Sequence, residues 1–130
     1  MLQGLTMQYQ LTLLAFMRRA ETLFGHREIV SYVPGAERFS YTHAQMLRRA
    51  KQLALALRSL GVQPGDRVAT LAWNHHRHLE ALWGIPASGA VLHALNLRLH
   101  PSDLAYIVGH AGDSALLVDA ELLPLFEQFQ

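Results

Sequence analysis

The chain contains no cysteine, which excludes disulfides, thiolate metal centres and cysteine nucleophiles from the outset. Of its 11 basic residues only Lys51 is a lysine. Charged residues make up 16% of the sequence and the formal net charge is +1, so there is neither a nucleic-acid footprint nor an acidic tail. No apolar run approaches the roughly 20 residues of a membrane span, and the N-terminus lacks a charged segment ahead of a continuous apolar core. No G-x-G-x-x-G or G-x-x-x-x-G-K-[ST] occurs to cradle phosphate, and no G-x-S-x-G marks a nucleophile elbow. Repeats, low-complexity tracts and linkers are missing as well. These absences lead to the expectation of a cytoplasmic protein with no membrane span and no catalytic signature of its own.

What is present is apolar. At 130 residues the chain is one domain in length, enough to bury roughly two-thirds of its unfolded surface. Hydrophobic residues reach 51%, a high share beside so few charges, and this points to apolar surface covered from outside the chain. Residues 1–11 show no periodicity and read as a flexible arm. Thr12 can cap a helix in which Leu13, Phe16, Met17, Ala20, Leu23 and Phe24 recur at helical spacing, with Gly25 as the stop. Glu28–Val33 and Arg38–Tyr41 flank the turn pair Pro34-Gly35 and predict a hairpin. Thr42 with Gln45 forms a capping-box signal for a helix over His43–Leu60. Met46, Ala50, Leu53, Ala54, Leu57 and Leu60 face inward on that helix. Its other face carries Arg48, Arg49, Lys51 and Arg58, and is read as a solvated face rather than a membrane-binding one.

Pro64-Gly65-Asp66 turns into a strand over Arg67–Ala72, and Asn74 can cap the next helix, His75–Ser88, which Pro86 should kink or end early. The stretch from Trp83 to Asp119 then organises the rest. Ala90–Leu95 and Ala115–Val118 are short apolar runs of the kind that parallel strands covered on both faces show. Between them, Pro101 stands where a first-turn proline belongs and Gly112 just past the helix end, with Leu104, Ile107, Val108 and Ala111 on one face. Asp119 should cap a last helix, Ala120–Gln130. The predicted fold is α/β, a partial doubly wound, mostly parallel sheet with covering helices and an N-terminal β-hairpin.

Chemistry is sparse. In Asn74-His75-His76-Arg77-His78-Leu79-Glu80, His75 and His78 could share a helix face as two metal ligands. No further ligand follows at the spacing that completes a known site, so the segment is read as a polar helix start. His93, inside an apolar strand, reads as a hydrogen-bonded core histidine rather than a catalyst. His26, His43, His100 and His110 are scattered over loops and helix ends.

Several ordered segments resemble a known family. Gly89-Ala90-Val91, Leu95-Asn96-Leu97-Arg98-Leu99, Pro101, Asp103-Leu104-Ala105-Tyr106-Ile107 and Leu116-Leu117-Val118-Asp119 match, in order and spacing, the N-terminal region of AMP-forming acyl-CoA synthetases. The match extends back through Tyr41-Thr42, Leu60-Gly61-Val62 and Pro64-Gly65-Asp66-Arg67-Val68-Ala69, and the medium- and long-chain fatty-acid CoA ligases are the nearest group. The resemblance implies an enzyme that activates a carboxylate with ATP and passes the acyl group to CoA, with ATP, Mg and CoA as cofactors. It also implies that residues 12–130 are an incomplete N-terminal part of the large domain. The family's Pro-Lys phosphate loop, Tyr-Gly-x-Thr-Glu segment, ribose aspartate and C-terminal lysine are not in this chain. No catalytic, cofactor-binding or metal residue is therefore assigned here, and the 130 residues alone are expected to be inactive. The implied partners are the remainder of a synthetase, a fatty acid through the complete enzyme and a possible homodimer. The alternative reading is a stand-alone, non-catalytic interaction or dimerisation module.

Overall fold

The computed structural model describes residues 11–32, 35 and 37–130. The expected arm thus lies outside the described residues except for Leu11, as do Val33 and Pro34 of the expected hairpin. In chain order the elements are α1 (Leu13–Phe24), β1 (Glu28–Ser31), β2 (Phe39–Thr42), α2 (His43–Ser59), β3 (Arg67–Leu71), α3 (His76–Ser88), β4 (Val91–Ala94), α4 (Pro101–Ala111) and β5 (Asp113–Val118). A 3₁₀ turn at Ala120–Leu122 leads into the short α5, Leu123–Phe126. β1 and β2 pair antiparallel; β4, β3 and β5 form a parallel sheet in that order.

All three strands of the parallel sheet fall where the sequence predicts them, and the first of them in the chain lies in the middle. β3 is the centre of the sheet, and Val68, Ala69, Thr70 and Leu71 are all buried. β4, expected to be covered on both faces, is an edge strand whose Val91 is 51% exposed. Side chains alternate across the sheet, as strand geometry requires. Val68, Leu92, Ala115 and Leu117 pack with Leu57, Ala81 and Ile85 of α2 and α3. Ala69, Leu71, Leu116 and Val118 pack with Leu104 of α4, Leu122 and the residues of α5. Helices cover both faces, which is the doubly wound arrangement. A third cluster joins Met17 of α1, Tyr41 of the hairpin and Met46, Leu47 and Ala50 of α2.

Local signals set many of the element boundaries. Thr42 Oγ1 accepts from Gln45 N at 3.2 Å, and the Gln45 side chain returns a bond to Thr42 N at 2.8 Å, so the capping box is complete. α2 ends at Ser59 instead of Leu60, whose side chain is 80% exposed, while Leu47 takes up a core place the pattern had not assigned. α4 starts on Pro101 and ends at Gly112 with φ +65°, a left-handed cap that glycine adopts without strain. Gly89 closes α3 in the same way at φ +93°.

Gly25 ends α1 as expected, in a right-handed conformation where a Cβ would lie 2.6 Å from Glu21 O. Three expectations need correction. Pro86 does not end α3 early: it lies in the last turn, and the helix runs on to Ser88. Asn74 is not the cap of α3; that place belongs to His75. The continuous helix over Ala120–Gln130 is absent. Pro124 has no N–H and disfavours helix at the residue before it, so the segment begins as a 3₁₀ turn and makes only four α-helical residues. Among the described residues no helix is long and apolar enough to cross a membrane.

Candidate functional site

The sheet topology marks one place where a cleft is expected. After β3 the chain passes to α3 on one face of the sheet; after β5 it passes to the 3₁₀ turn and α5 on the other. Adjacent parallel strands whose onward connections diverge leave a crevice at their carboxyl ends, the usual ligand position of open α/β sheets. A cleft of ≈ 680 Å³ lies there. Trp73, Asn74, His75, His76 and Arg77 line it from the β3 end, and Asp119, Ala120 and Glu121 from the β5 end. The hairpin completes the wall with Ser31, Tyr32, Glu37 and Phe39. Trp73 is 52% exposed and Tyr32 70%, so the cleft presents aromatic surface to solvent.

The histidines that open α3 hold the base of this cleft together. His75 Nε2 lies 2.7 Å from Asp119 Oδ2, and Trp73 N donates to the same oxygen at 2.8 Å, a clasp between the ends of β3 and β5. His75 Nδ1 accepts from His78 N at 3.3 Å and caps the helix. His78 Nε2 reaches Thr70 Oγ1 at 3.1 Å beneath the helix. His76 stacks on Phe39 with ring centroids 4.1 Å apart, and both its backbone N and its Nδ1 meet Ser31 Oγ, at 3.1 and 3.2 Å. Burial holds the imidazoles of His76 and His78 below the ordinary histidine value, which favours the neutral ring.

His75 and His78 therefore turn to different neighbours instead of facing a common ion, and both ring nitrogens of His75 are engaged. Asp119, expected to cap a helix, makes no cap bond with its side chain and serves the clasp. It lies 44 residues beyond His75, and the only sequence trace of the pairing is that both residues follow the end of an apolar strand. His93 Nδ1 sits 2.8 Å from the carboxylate of Asp113, whose side chain is 1% exposed, so the strand histidine is hydrogen-bonded.

The basic face of α2 is exposed, as its pattern suggests, and three of its side chains also find partners. Arg49 Nε donates to Glu80 Oε1 at 2.7 Å, Lys51 Nζ reaches both oxygens of Glu21, and Arg58 Nε donates to Ser88 O at 3.1 Å. Each ties α2 to a neighbouring helix. Burial, then the nearby Glu80 carboxylate, pushes the Tyr41 hydroxyl well above the usual phenol range. The chain's only lysine pairs with Glu21, and among the described residues no group of three or more His, Asp or Glu could hold a metal ion.

Comparison with known proteins agrees on one lineage. The family model described as AMP-binding enzyme matches residues 16–129. The chain is 50% identical over 121 residues to a long-chain-fatty-acid–CoA ligase of Thermus thermophilus, a match covering 93% of this chain and 22% of that protein. It is 35% identical over 125 residues to a medium-chain-fatty-acid–CoA ligase of Ectopseudomonas oleovorans, covering 96% and 23%. Among solved structures, an anthranilate CoA ligase with anthranoyl-AMP superposes with a TM-score of 0.81 at 25% identity, over 94% of this chain and 23% of that one. A fatty acyl CoA synthetase of Mycobacterium tuberculosis gives 0.76 at 27% identity, over 87% and 22%. The chain spans about a fifth of the length of the curated relatives it matches.

Proposed function

The chain belongs to the AMP-binding enzyme family, and from that premise we propose that it is the N-terminal part of an ATP-dependent fatty-acid CoA ligase. The complete enzyme converts carboxylate, ATP and CoA to acyl-CoA, AMP and pyrophosphate. The observation that carries this reading is the 50% identity to the Thermus thermophilus long-chain ligase across 93% of the chain. Within such an enzyme residues 12–130 are a scaffold and no catalytic group lies in them. They supply parallel strands and covering helices, and the cleft between the ends of β3 and β5 faces the remainder. ATP, Mg and CoA are cofactors of the complete enzyme, a fatty acid is its substrate, and the enzyme works in the cytoplasm, with a second copy of itself as a candidate partner.

A segment exchange tests the proposal. Residues 12–130 replace the matching segment of the Thermus ligase, and thioester formation from a long-chain fatty acid, ATP and CoA is measured. The expected result is an active chimera beside a 130-residue chain that forms no thioester. Turnover by the 130-residue chain alone would end the scaffold reading. A folded chimera that binds ATP yet makes no acyl-CoA would end the ligase reading.

A further inference from the structure

α1 packs against α2, and each helix turns a stripe of side chains to the groove between them. Leu14, Arg18 and Glu21 form the stripe on α1, and Lys51, Leu55 and Arg58 the one on α2, each at helical three- and four-residue spacing. The groove has a volume of ≈ 450 Å³, and the buried Met17 and Ala54 form its floor. At one end Lys51 closes on Glu21 at 2.7 Å. The other end is left open. Leu14 and Leu55 are exposed there, Leu55 by 66%, with Arg18 and Arg58 beside them. Arg58 Nε donates to Ser88 O at 3.1 Å, and neither arginine meets a carboxylate among the described residues.

Charge is divided between the layers in the same sense. α1 and α2 hold six of the 11 basic residues and only one acidic residue, Glu21, so they carry +5 in a chain of net +1. Residues 99–130 hold five acidic residues and no lysine or arginine. We propose that the groove between α1 and α2 is where the protein rests on an anionic bilayer surface. Arg18 and Arg58 meet lipid phosphates, and Leu14 and Leu55 enter the boundary of the acyl chains below them. A single bound acyl chain needs walls that bury most of it, whereas these leucines project out of the groove. A bilayer offers a dense array of phosphates to the unpaired arginines and an apolar medium to the leucines. α4 and α5 lie on the opposite face of the sheet from α2, so repulsion of their acidic residues turns the groove toward the lipid. α2 alone brings one exposed leucine to this groove; α1 supplies the second wall.

Flotation of the 130-residue chain with vesicles of two parts phosphatidylcholine to one part phosphatidylglycerol tests this, beside vesicles of phosphatidylcholine alone. The wild type is expected to float with the anionic vesicles, to be released by raised salt and to stay behind with the neutral ones. Arg18→Gln and Leu55→Gln should each weaken binding about fivefold. Both place a good helix former at an exposed position, so their thermal midpoints should match the wild type. Arg98→Gln removes the same charge from the exposed loop between β4 and α4 and should bind as the wild type does. The proposal is overturned if anionic vesicles leave the chain behind or neutral ones carry it equally. It is overturned too if either groove variant binds as the wild type does, or if Arg98→Gln weakens binding as much as Arg18→Gln. Docking is read on binding alone, so its failure would leave the ligase reading standing.

Discussion

The two faces of the parallel sheet are covered to different depths. On the α2 and α3 face, Leu57, Val68 and Ile85 are at most 1% exposed. On the α4 face, Leu104 is fully buried, but Ile107, Val108, Leu116 and Val118 are only half-buried. α2 and α4 read alike in the sequence, each with a start signal, an apolar stripe and a glycine stop. α2 nevertheless buries five residues and α4 one. The reason lies in the second layer: α2 packs on α3 and on α1 as well as on the sheet, so its stripe is enclosed from three directions. Periodicity tells which side of a helix turns inward; neighbours decide how far water is excluded.

The largest test of this contrast is a matched pair of truncations. Leu57→Ala should cost about 3 kcal/mol in urea unfolding, whereas Ile107→Ala on the open face should cost about 1 kcal/mol. Equal losses would erase the distinction between the faces. Next comes the contact that brings α2 and α3 together. A Cβ at Gly84 would lie 2.8 Å from Ala50 O and 3.1 Å from Leu53 Cβ, so Gly84→Ala must separate the helices. About 2 kcal/mol of destabilisation is expected from such overpacking. An unchanged midpoint would show slack where the geometry shows none.

What could be read beforehand follows the same division between local and distant. The capping box at Thr42, the proline start and glycine stop of α4 and the hairpin all rest on residues within a few positions of one another, and all are present. The placing of β3 between β4 and β5 depends on a crossover and is not a property of any short stretch. The clasp of Trp73 and His75 with Asp119 spans 46 and 44 residues and was equally hidden. Asp119 stands at the cap position that an aspartate ahead of an apolar run predicts, but makes no cap bond there. Its carboxylate is drawn instead to the two donors at the end of β3. The absence of the family's catalytic segments needed no structure, since a missing motif is visible in the letters alone.

A smaller effect probes whether the well-covered face starts from its own cap. Thr42→Ala removes the acceptor for Gln45 N and breaks the reciprocal bond, and should lower stability by about 1 kcal/mol. Thr42→Asn, which can accept in the same place, should recover most of it. Failure of that rescue would mean that packing alone fixes the start of α2.

The smallest expected effect comes from pH, and it too belongs to the covered face. His78 lies under α3 against Thr70, and burial lowers its value from the ordinary 6.5. The folded state therefore resists a proton that the unfolded chain accepts, so stability is complete above 6.5 and declines as pH falls through that value toward the lowered one. Tyr41 acts at the other end. Its hydroxyl is raised above the ordinary 10.0, so the unfolded chain releases that proton first and stability declines as pH climbs past 10. Thermal unfolding followed across both ranges should show a plateau between two shoulders. Tyr41→Phe should flatten the alkaline shoulder and His78→Gln should reduce the acid one, the rest of which comes from His76, also lowered by burial; each substitution should leave the other shoulder in place. If either substitution removed both shoulders, the two groups would be reporting one shared opening of α3, and the burial of each would not be the separate cause.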